Sequence, residues 1–150
     1  PTAAFGPAKC WLPERFREVA KRLTDNPENH VLFFGDKAGA AQVAAISEGI
    51  SPHVHNLSNK TSLRELIALI ASCDHFLTND SGPMHLAAAL AVPLLALFGS
   101  TNEISTGPYL HGKTLHKHVS CSPCYRRTCP IDFRCMKQIS VEEVMSELIP

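Results

Sequence analysis

The sequence has no excess of charge of either sign, because 14 lysine and arginine residues balance 14 aspartate and glutamate residues. A chain without a basic field binds nucleic acid poorly, so we expect no nucleic-acid partner. The sequence also lacks a long apolar run, which argues against a membrane-spanning segment. Its first residues contain neither an initiator methionine nor a signal-peptide pattern. They have the composition of a turn that follows a strand, so we expect these 150 residues to be part of a longer chain.

Several motifs of common enzyme classes are missing as well. The absence of Gly-x-Gly-x-x-Gly and of Gly-x-x-x-x-Gly-Lys-Ser/Thr disfavours a dinucleotide dehydrogenase and a P-loop NTPase. The absence of Gly-x-Ser-x-Gly argues against an α/β-hydrolase. No Asp-x-Asp pair is available to bind magnesium. With 45% hydrophobic and 19% charged residues, the composition is that of a globular protein, and the length suits one domain.

Short apolar runs alternate with segments of helical periodicity along most of the chain. The runs at 31–34, 54–57, 73–77 and 93–99 predict strands, and 114–119 predicts a last one. Helices are predicted at 13–23, 38–48, 62–71, after residue 81, and at 140–148. Continuous apolar strands are typical of parallel sheets covered on both faces. The sequence therefore predicts an α/β class with a Rossmann-like, doubly wound parallel sheet.

The most informative stretch follows the predicted strand at 73–77. Asp80, Ser81, Gly82 and His85 lie within six residues, and Pro83 suits the first turn of a helix. With Asp80 or Ser81 as N-cap, the helix would direct free N–H groups and its positive dipole end toward the carboxyl edge of the sheet. Such a terminus binds anions, most often phosphate. An ordinary strand-to-helix turn is the alternative, but the whole set favours ligand binding.

Three other loops would converge on the same edge, because ligands of such folds bind beyond the carboxyl ends of the strands. Lys9 could contact a diphosphate as a point charge or be solvated. Asp36 follows the strand at 31–34, where an acid often binds ribose hydroxyls, although a solvated turn fits equally. Ser100 and its neighbours could bond to phosphate or sugar, or form a plain turn.

Four of the six cysteines are clustered in a Cys-rich insertion at 120–136, as Cys121-x2-Cys124-x4-Cys129-x5-Cys135. This clustering favours a reducing compartment over a secreted, disulfide-linked domain. Four thiolates at this spacing could bind structural zinc, while disulfides and free thiols are the alternatives.

The motifs at 79–89 with 93–99, at 5–11, and at 121–136 together resemble the lipopolysaccharide heptosyltransferases of glycosyltransferase family nine. The resemblance runs over nearly the whole chain. It implies the C-terminal, donor-binding half of a two-domain GT-B enzyme, with residues 1–150 as the donor domain and the N-terminal acceptor domain absent. The implied function is inverting transfer of heptose from ADP-heptose to the lipopolysaccharide inner core, without a required cofactor. The implied location is the cytoplasm, with peripheral contact at the inner membrane.

The resemblance also implies roles for individual residues. Lys9 would hold the diphosphate, and Asp36 would lie near the ribose, with Lys37 beside it departing from the pattern. Thr61 would lie near the adenine. The residues implied at the phosphates and the donor sugar are Asp80, Ser81, Gly82 and His85.

Two features of the resemblance limit what this chain is expected to do. The hydroxyl-bearing residues that the family has before its lysine are replaced here by Ala4 and Phe5. The catalytic base is expected on the absent half, so this chain should bind donor but transfer little. The alternative function is a non-catalytic nucleotide-binding module whose Cys-rich segment contacts a partner.

Overall fold

A computed structural model describes residues 1–149, within which five strands alternate with seven α-helices. The strands are β1 (Val31–Phe33), β2 (Val54–Asn56), β3 (Phe76–Asn79), β4 (Leu94–Phe98) and β5 (Lys113–His116). The helices are α1 (Pro13–Leu23), α2 (Ala40–Ser47), α3 (Leu63–Ala71), α4 (Gly82–Ala89), α5 (Glu103–Thr106), α6 (Arg134–Lys137) and α7 (Val141–Leu148). In the described range, no helix has the length and apolar character needed to cross a bilayer.

All strand pairs are parallel, which confirms the predicted α/β class. The strands form two hydrogen-bonded sheets, one ordered β1-β2 and the other β3-β4-β5. In the larger sheet, Asn79 at the end of β3 is paired with Leu97 of β4, and Phe98 is paired with His116 of β5. The loops that follow β3 and β4 therefore emerge side by side at the same sheet edge.

Strand β4 is buried along its whole length and separates two apolar clusters. Leu95 and Leu97 belong to the cluster with Trp11, Phe16 and the apolar residues of α7. Leu94, Ala96 and Phe98 point to the opposite face, where the apolar residues of α3 and α4 cover the strand. Because side chains alternate along a strand, this pattern means that helices cover the sheet on both faces.

The local signals explain most element boundaries. Helix α1 begins at Pro13, and capping boxes open α3, at Ser62 with Glu65, and α7, at Ser140 with Glu143. Two predicted strands are exceptions, since β3 begins at Phe76 and not at residue 73, and β5 ends at His116 and not at residue 119. The backbone N–H of Cys73 donates to Ile70 O and so belongs to the turn that closes α3. The short helices α5 and α6 have four residues each, too few for a periodic signal.

The first twelve residues form a loop with one 3-10 turn, Pro7–Lys9, and Asn79 holds this loop at both ends. The Asn79 Oδ1 atom accepts a hydrogen bond from Trp11 N at 2.9 Å, and its Nδ2 atom donates to Pro1 O at 2.9 Å. Asn79 is almost fully buried, and so is the Trp11 ring, which donates from Nε1 to Ile139 O. Trp11 is thus a core residue just before α1.

Replacing Asn79 by aspartate tests this attachment. The Asn79→Asp variant keeps an acceptor for Trp11 N but leaves Pro1 O without its donor and buries a second carboxylate beside Asp80. We expect the free energy of unfolding to fall by about 1–3 kcal/mol. The measurement is urea denaturation followed by the fluorescence of the single tryptophan. The matched control is Asn102→Asp, because Asn102 uses only its oxygen, as acceptor for Ile104 N. Equal losses in the two variants would contradict the proposed role of the Asn79 amide.

A second prediction concerns the contact between α7 and the segment after β5. The hydrogen bond from Lys117, together with the Ser140 backbone N–H, lowers the pKa of Glu143 below its ordinary value of 4.5. A lowered pKa stabilises the fold at neutral pH, and this stability is lost as the pH falls through the lowered value. Because the Glu143 side chain is 40% exposed, we expect the contribution to be under about 1 kcal/mol. Glu143→Gln should therefore be less stable than wild type at about pH 7, and urea titrations should show this difference shrinking as the pH falls below the ordinary value of 4.5. A difference that persists at the acidic pH would argue against this charge effect.

Candidate functional site

The centre of the candidate site is an ion pair between two predicted site residues. Lys9 Nζ lies 2.5 Å from Asp80 Oδ2, although the two residues are 71 positions apart. Their side chains are only 13% and 6% exposed. Lys9 ends the 3-10 turn of the first loop, and Asp80 directly follows β3. At this degree of burial each charge depends on the other, and removal of one partner typically destabilises a protein by about 3–5 kcal/mol.

Two threonines complete the surroundings of the Asp80 carboxylate. Thr101 Oγ1 donates to Oδ2 at 2.7 Å, and Thr106 Oγ1 lies 3.4 Å from the same oxygen. The other oxygen, Oδ1, accepts no hydrogen bond from residues 1–149, yet it is not among their fully buried atoms without a partner. Asp80 therefore has one oxygen occupied by the protein and one open to a hydroxyl group from outside.

From the sequence, Thr101 was considered only as a neighbour of Ser100, and Thr106 was not assigned to the site. Thr101 directly follows Ser100, so its position after β4 was a usable signal. Thr106 lies on α5, which gives no sequence signal because the helix has only four residues. Its contact with Asp80 depends on the chain turning back over the end of the sheet, which no local pattern encodes.

The N-terminus of α4 lies next to this ion pair in the chain and is open. Ser81 is the N-cap residue, as predicted, but its hydroxyl contacts Thr78 Oγ1 at 3.0 Å. Within residues 1–149, neither Ser81 nor Asp80 caps the helix with its side chain, which corrects the predicted cap bond. At Gly82 an added Cβ atom would meet nothing within 4 Å. The first turn thus retains N–H groups that can bind an anion.

A second cation lies near Lys9, and Phe5 connects the two. The Phe5 ring is 4.7 Å from Lys9 Nζ and 5.3 Å from the Arg127 guanidinium carbon. Arg127 is held by its backbone, since Arg127 O accepts a hydrogen bond from Ala8 N at 3.0 Å. Gly6 has a φ of 143°, and a Cβ atom there would lie 2.7 Å from Arg127 O. The Cys-rich segment therefore packs directly on the loop that carries Lys9.

The structure does not join every predicted residue to the ion pair. Asp36 Oδ1 accepts a hydrogen bond from Gly39 N at 2.8 Å and so stabilises the turn before α2. Thr61 is half-buried just before the N-cap of α3, and His85 is exposed on α4. Among the hydrogen bonds and ion pairs of the described residues, none links these three to Lys9 or Asp80. Their assignment to the site remains a prediction.

Ser100 lies beside the cysteine cluster, and its predicted contact with phosphate or sugar remains a prediction. It is 2% exposed, and its Oγ atom is the one fully buried side-chain polar atom of residues 1–149 without a hydrogen-bond partner. Ser100 lines a cavity of about 20 Å³ together with Cys121, Cys124, Cys129 and Cys135. All four cysteines are free thiols, and burial raises the pKa of Cys135.

One further cluster was not predicted from the sequence. Glu103, His116 and His118 are the only potential metal ligands of residues 1–149 that lie within 4.8 Å of one another as a trio. Both ring nitrogens of His116 already have partners, because Nδ1 lies 2.8 Å from Glu103 Oε2 and Nε2 lies 2.8 Å from Ser122 Oγ. The contacts of His116 therefore join α5, β5 and the Cys-rich segment.

Comparison with known proteins gives a consistent result. The sequence model of the family described as "Glycosyltransferase family 9 (heptosyltransferase)" matches residues 1–133. Lipooligosaccharide heptosyltransferase 2 of Campylobacter jejuni is 37% identical over 99% of this chain and 48% of its own length. Lipopolysaccharide heptosyltransferase 2 of Escherichia coli is 42% identical over 74% of this chain and 33% of its own length.

The fold comparison agrees with the sequence comparison. The solved structure described as "Structure of E. coli ADP-heptose lps heptosyltransferase II" superposes with a TM-score of 0.81 at 29% identity, covering 98% of this chain and 43% of the other. The chain thus spans about half the length or less of the relatives it matches. On the family match over residues 1–133 and these identities, the chain belongs to glycosyltransferase family 9, the heptosyltransferases.

Proposed function

We propose that this chain is the donor-binding half of a heptosyltransferase and that it binds ADP-heptose at the Lys9–Asp80 pair. The observation that carries this proposal is the buried lysine beside the open N-terminus of α4. The full-length enzyme would transfer heptose, with inversion, to the inner core of lipopolysaccharide. The names of the relatives support this donor and this acceptor, since they are heptosyltransferases of lipopolysaccharide or lipooligosaccharide and one is described with ADP-heptose.

The diphosphate would bind between Lys9 and the first turn of α4. One hydrogen of the Lys9 ammonium points to Asp80, which leaves two for phosphate oxygens. The backbone N–H groups at Ser81 and Gly82, with the helix dipole, would add neutral donors. Arg127, which also contacts the Phe5 ring, would supply further positive charge. No metal ion is needed for this arrangement, since the cations and the helix can offset the diphosphate charge.

Asp80 would bind the sugar side of the donor. Its Oδ2 atom is occupied by Lys9, Thr101 and Thr106, so only Oδ1 can accept a hydroxyl hydrogen from the ligand. A carboxylate repels phosphate, which also favours contact with the heptose. We propose that His85 contacts the donor from α4, and that Asp36 and Thr61 lie near the ribose and the adenine. These three assignments rest on the family resemblance.

In the transfer step, an acceptor hydroxyl oxygen would attack the anomeric carbon as the carbon–oxygen bond to the diphosphate breaks. ADP leaves with the bonding electrons, and Lys9 with the α4 terminus stabilises the added charge. The acceptor proton would pass to a base in the part of the relatives that this chain does not match. We therefore propose that this chain alone binds the donor without transferring the sugar. We also propose a cytoplasmic location at the inner membrane, because free cysteines are typical of a reducing compartment.

Binding of ADP to the Lys9→Met variant tests the donor site. A charge-assisted hydrogen bond to phosphate contributes about 1.5–3 kcal/mol, so we expect binding about 10–100-fold weaker than wild type by calorimetry. The matched control is Lys113→Met, which removes a lysine paired with Glu147 at the opposite end of the sheet. It should bind ADP like wild type.

Loss of Lys9 leaves the buried Asp80 carboxylate unpaired, which destabilises the fold. The double variant Lys9→Met with Asp80→Asn removes both charges and therefore provides a folded protein without Lys9. Equal ADP affinity in wild type and in a folded Lys9 variant would overturn the diphosphate site. Tighter binding of ADP-heptose than of ADP would distinguish a sugar-donor site from a nucleotide-binding module. Equal binding of the two would support the module instead.

Substitution of Gly82 separates ligand contact from folding. The added methyl group of Gly82→Ala has open space, and alanine favours helix by up to about 1 kcal/mol relative to glycine. We therefore expect unchanged or slightly higher thermal stability. The same methyl group would occupy space that a bound diphosphate needs, so ADP should bind at least about 10-fold more weakly, or about 1.4 kcal/mol less favourably. Unchanged affinity in this variant would mean that the phosphates do not approach the α4 terminus.

A further inference from the structure

The four clustered cysteines surround one small enclosed space. Cys121 and Cys124 are exposed and Cys129 is half-buried on the loop before α6, whereas Cys135 is buried on α6 itself. All four line the same cavity of about 20 Å³, with the apolar Ile131 and Phe133 in its wall. A cavity of this size holds one water molecule or one ion.

The buried hydroxyl of Ser100 is a second, independent feature of this cavity. A buried hydroxyl without a partner is unfavourable by about 1–3 kcal/mol, and native structures rarely retain one without a reason. Ser100 O accepts hydrogen bonds from the backbone N–H groups of Cys124 and Tyr125 at 3.1 and 2.7 Å. The residue is therefore fixed at the base of the cysteine loop, where a thiolate would be a suitable acceptor for its hydroxyl hydrogen.

We propose that Cys121, Cys124, Cys129 and Cys135 bind one structural Zn²⁺ ion, with Ser100 Oγ donating a hydrogen bond to a coordinated thiolate. A closed set of four sulfur ligands is typical of structural zinc. No three of these sulfurs lie within 4.8 Å of one another. With Zn–S bonds near 2.3 Å, tetrahedral sulfurs lie about 3.8 Å apart. Binding therefore closes the loop that carries three of the cysteines onto Cys135.

Charge and connectivity fit this assignment. Four thiolates around Zn²⁺ leave a net negative charge, and Arg134 lines the cavity, with Arg126 and Arg127 in the same segment. The segment contacts the loop of Lys9 through the hydrogen bond from Ala8 N to Arg127 O. The ion would thus hold this segment against the Lys9 loop. The zinc site does not depend on the donor function, and either can fail alone.

The rival site is the trio of Glu103, His116 and His118. A metal ion there would displace His116 from Glu103 or from Ser122, to which both of its ring nitrogens are bound. The cysteine cavity requires no such loss, because none of its four thiols shares a hydrogen bond with another side chain of the described residues. Substitutions at each site distinguish these two candidate metal sites.

The test is the metal content of protein purified under reducing conditions without chelator and then equilibrated with Zn²⁺. We expect one Zn²⁺ per chain, lost in Cys124→Ser and Cys135→Ser. It should be retained in Cys10→Ser and Cys73→Ser, which remove cysteines outside the cluster, and in His118→Ala. Ser100→Ala should bind Zn²⁺ about 10–100-fold more weakly, as expected when a partner of a metal ligand is removed.

A spectroscopic test on wild-type protein detects the sulfur ligands directly and does not depend on the folding of the cysteine variants. Wild-type protein loaded with Co²⁺ should show thiolate-to-cobalt charge-transfer absorption. Three results would each overturn the proposal. The first is the absence of Zn²⁺ from wild type, and the second is loss of Zn²⁺ in His118→Ala while the cysteine variants retain it. The third is a metal-free chain with fewer than six titratable thiols. A failed ADP titration with one Zn²⁺ per chain would leave it standing.

Discussion

Two consecutive side chains at the end of β3 hold the first loop, and the candidate site depends on both. The neutral amide of Asn79 bonds the backbone at Pro1 and Trp11, while the charged carboxylate of Asp80 bonds the ammonium of Lys9. An amide can donate and accept at once, so it satisfies two backbone groups in a buried place without adding charge. The carboxylate is then reserved for the cation. The strand ending thus fixes both the path of the loop and the direction of its lysine.

The same arrangement would keep the proposed diphosphate site stable before a ligand binds. An isolated buried lysine would lose its proton or become solvated, because burial disfavours the charged form. Asp80 keeps the charge of Lys9 balanced, and Thr101 and Thr106 share the carboxylate oxygen that faces it. A bound phosphate would then meet a lysine already held in place, which reduces the ordering required on binding. Asp80 therefore has a positioning role toward Lys9 as well as its proposed contact with the sugar.

Sequence patterns could predict only the part of the candidate site that is formed by residues directly after strands. The runs that became β3 and β4 are strongly apolar, and parallel strands bring the residues after them to one edge, so the meeting of Asp80 with the loop after β4 followed from topology. Contacts made by side chains that return to this edge from elsewhere could not be predicted. Thr106 reaches Asp80 from a single helical turn, and Arg127 reaches Phe5 from a segment whose only pattern was its cysteines. The hydroxyl of Ser81 was predicted to cap α4 but instead contacts Thr78 Oγ1 at 3.0 Å.

Ser100 shows that two neighbours in the chain can face different sites. Asp80 and Thr101 meet in front of the sheet edge, while Ser100, one residue earlier, lines the cysteine cavity. The chain bends at residues 99–101, so Ser100 and Thr101 face different sites although they are neighbours. Met136 packs against Gly99 so closely that a Cβ atom there would lie 2.9 Å from its terminal methyl group. The end of β4, the cysteine segment and α6 are therefore one packed unit. The cysteine segment therefore contacts both the loop after β4, through Ser100, and the loop of Lys9, through Arg127, so binding of an ion there would order the surroundings of both loops.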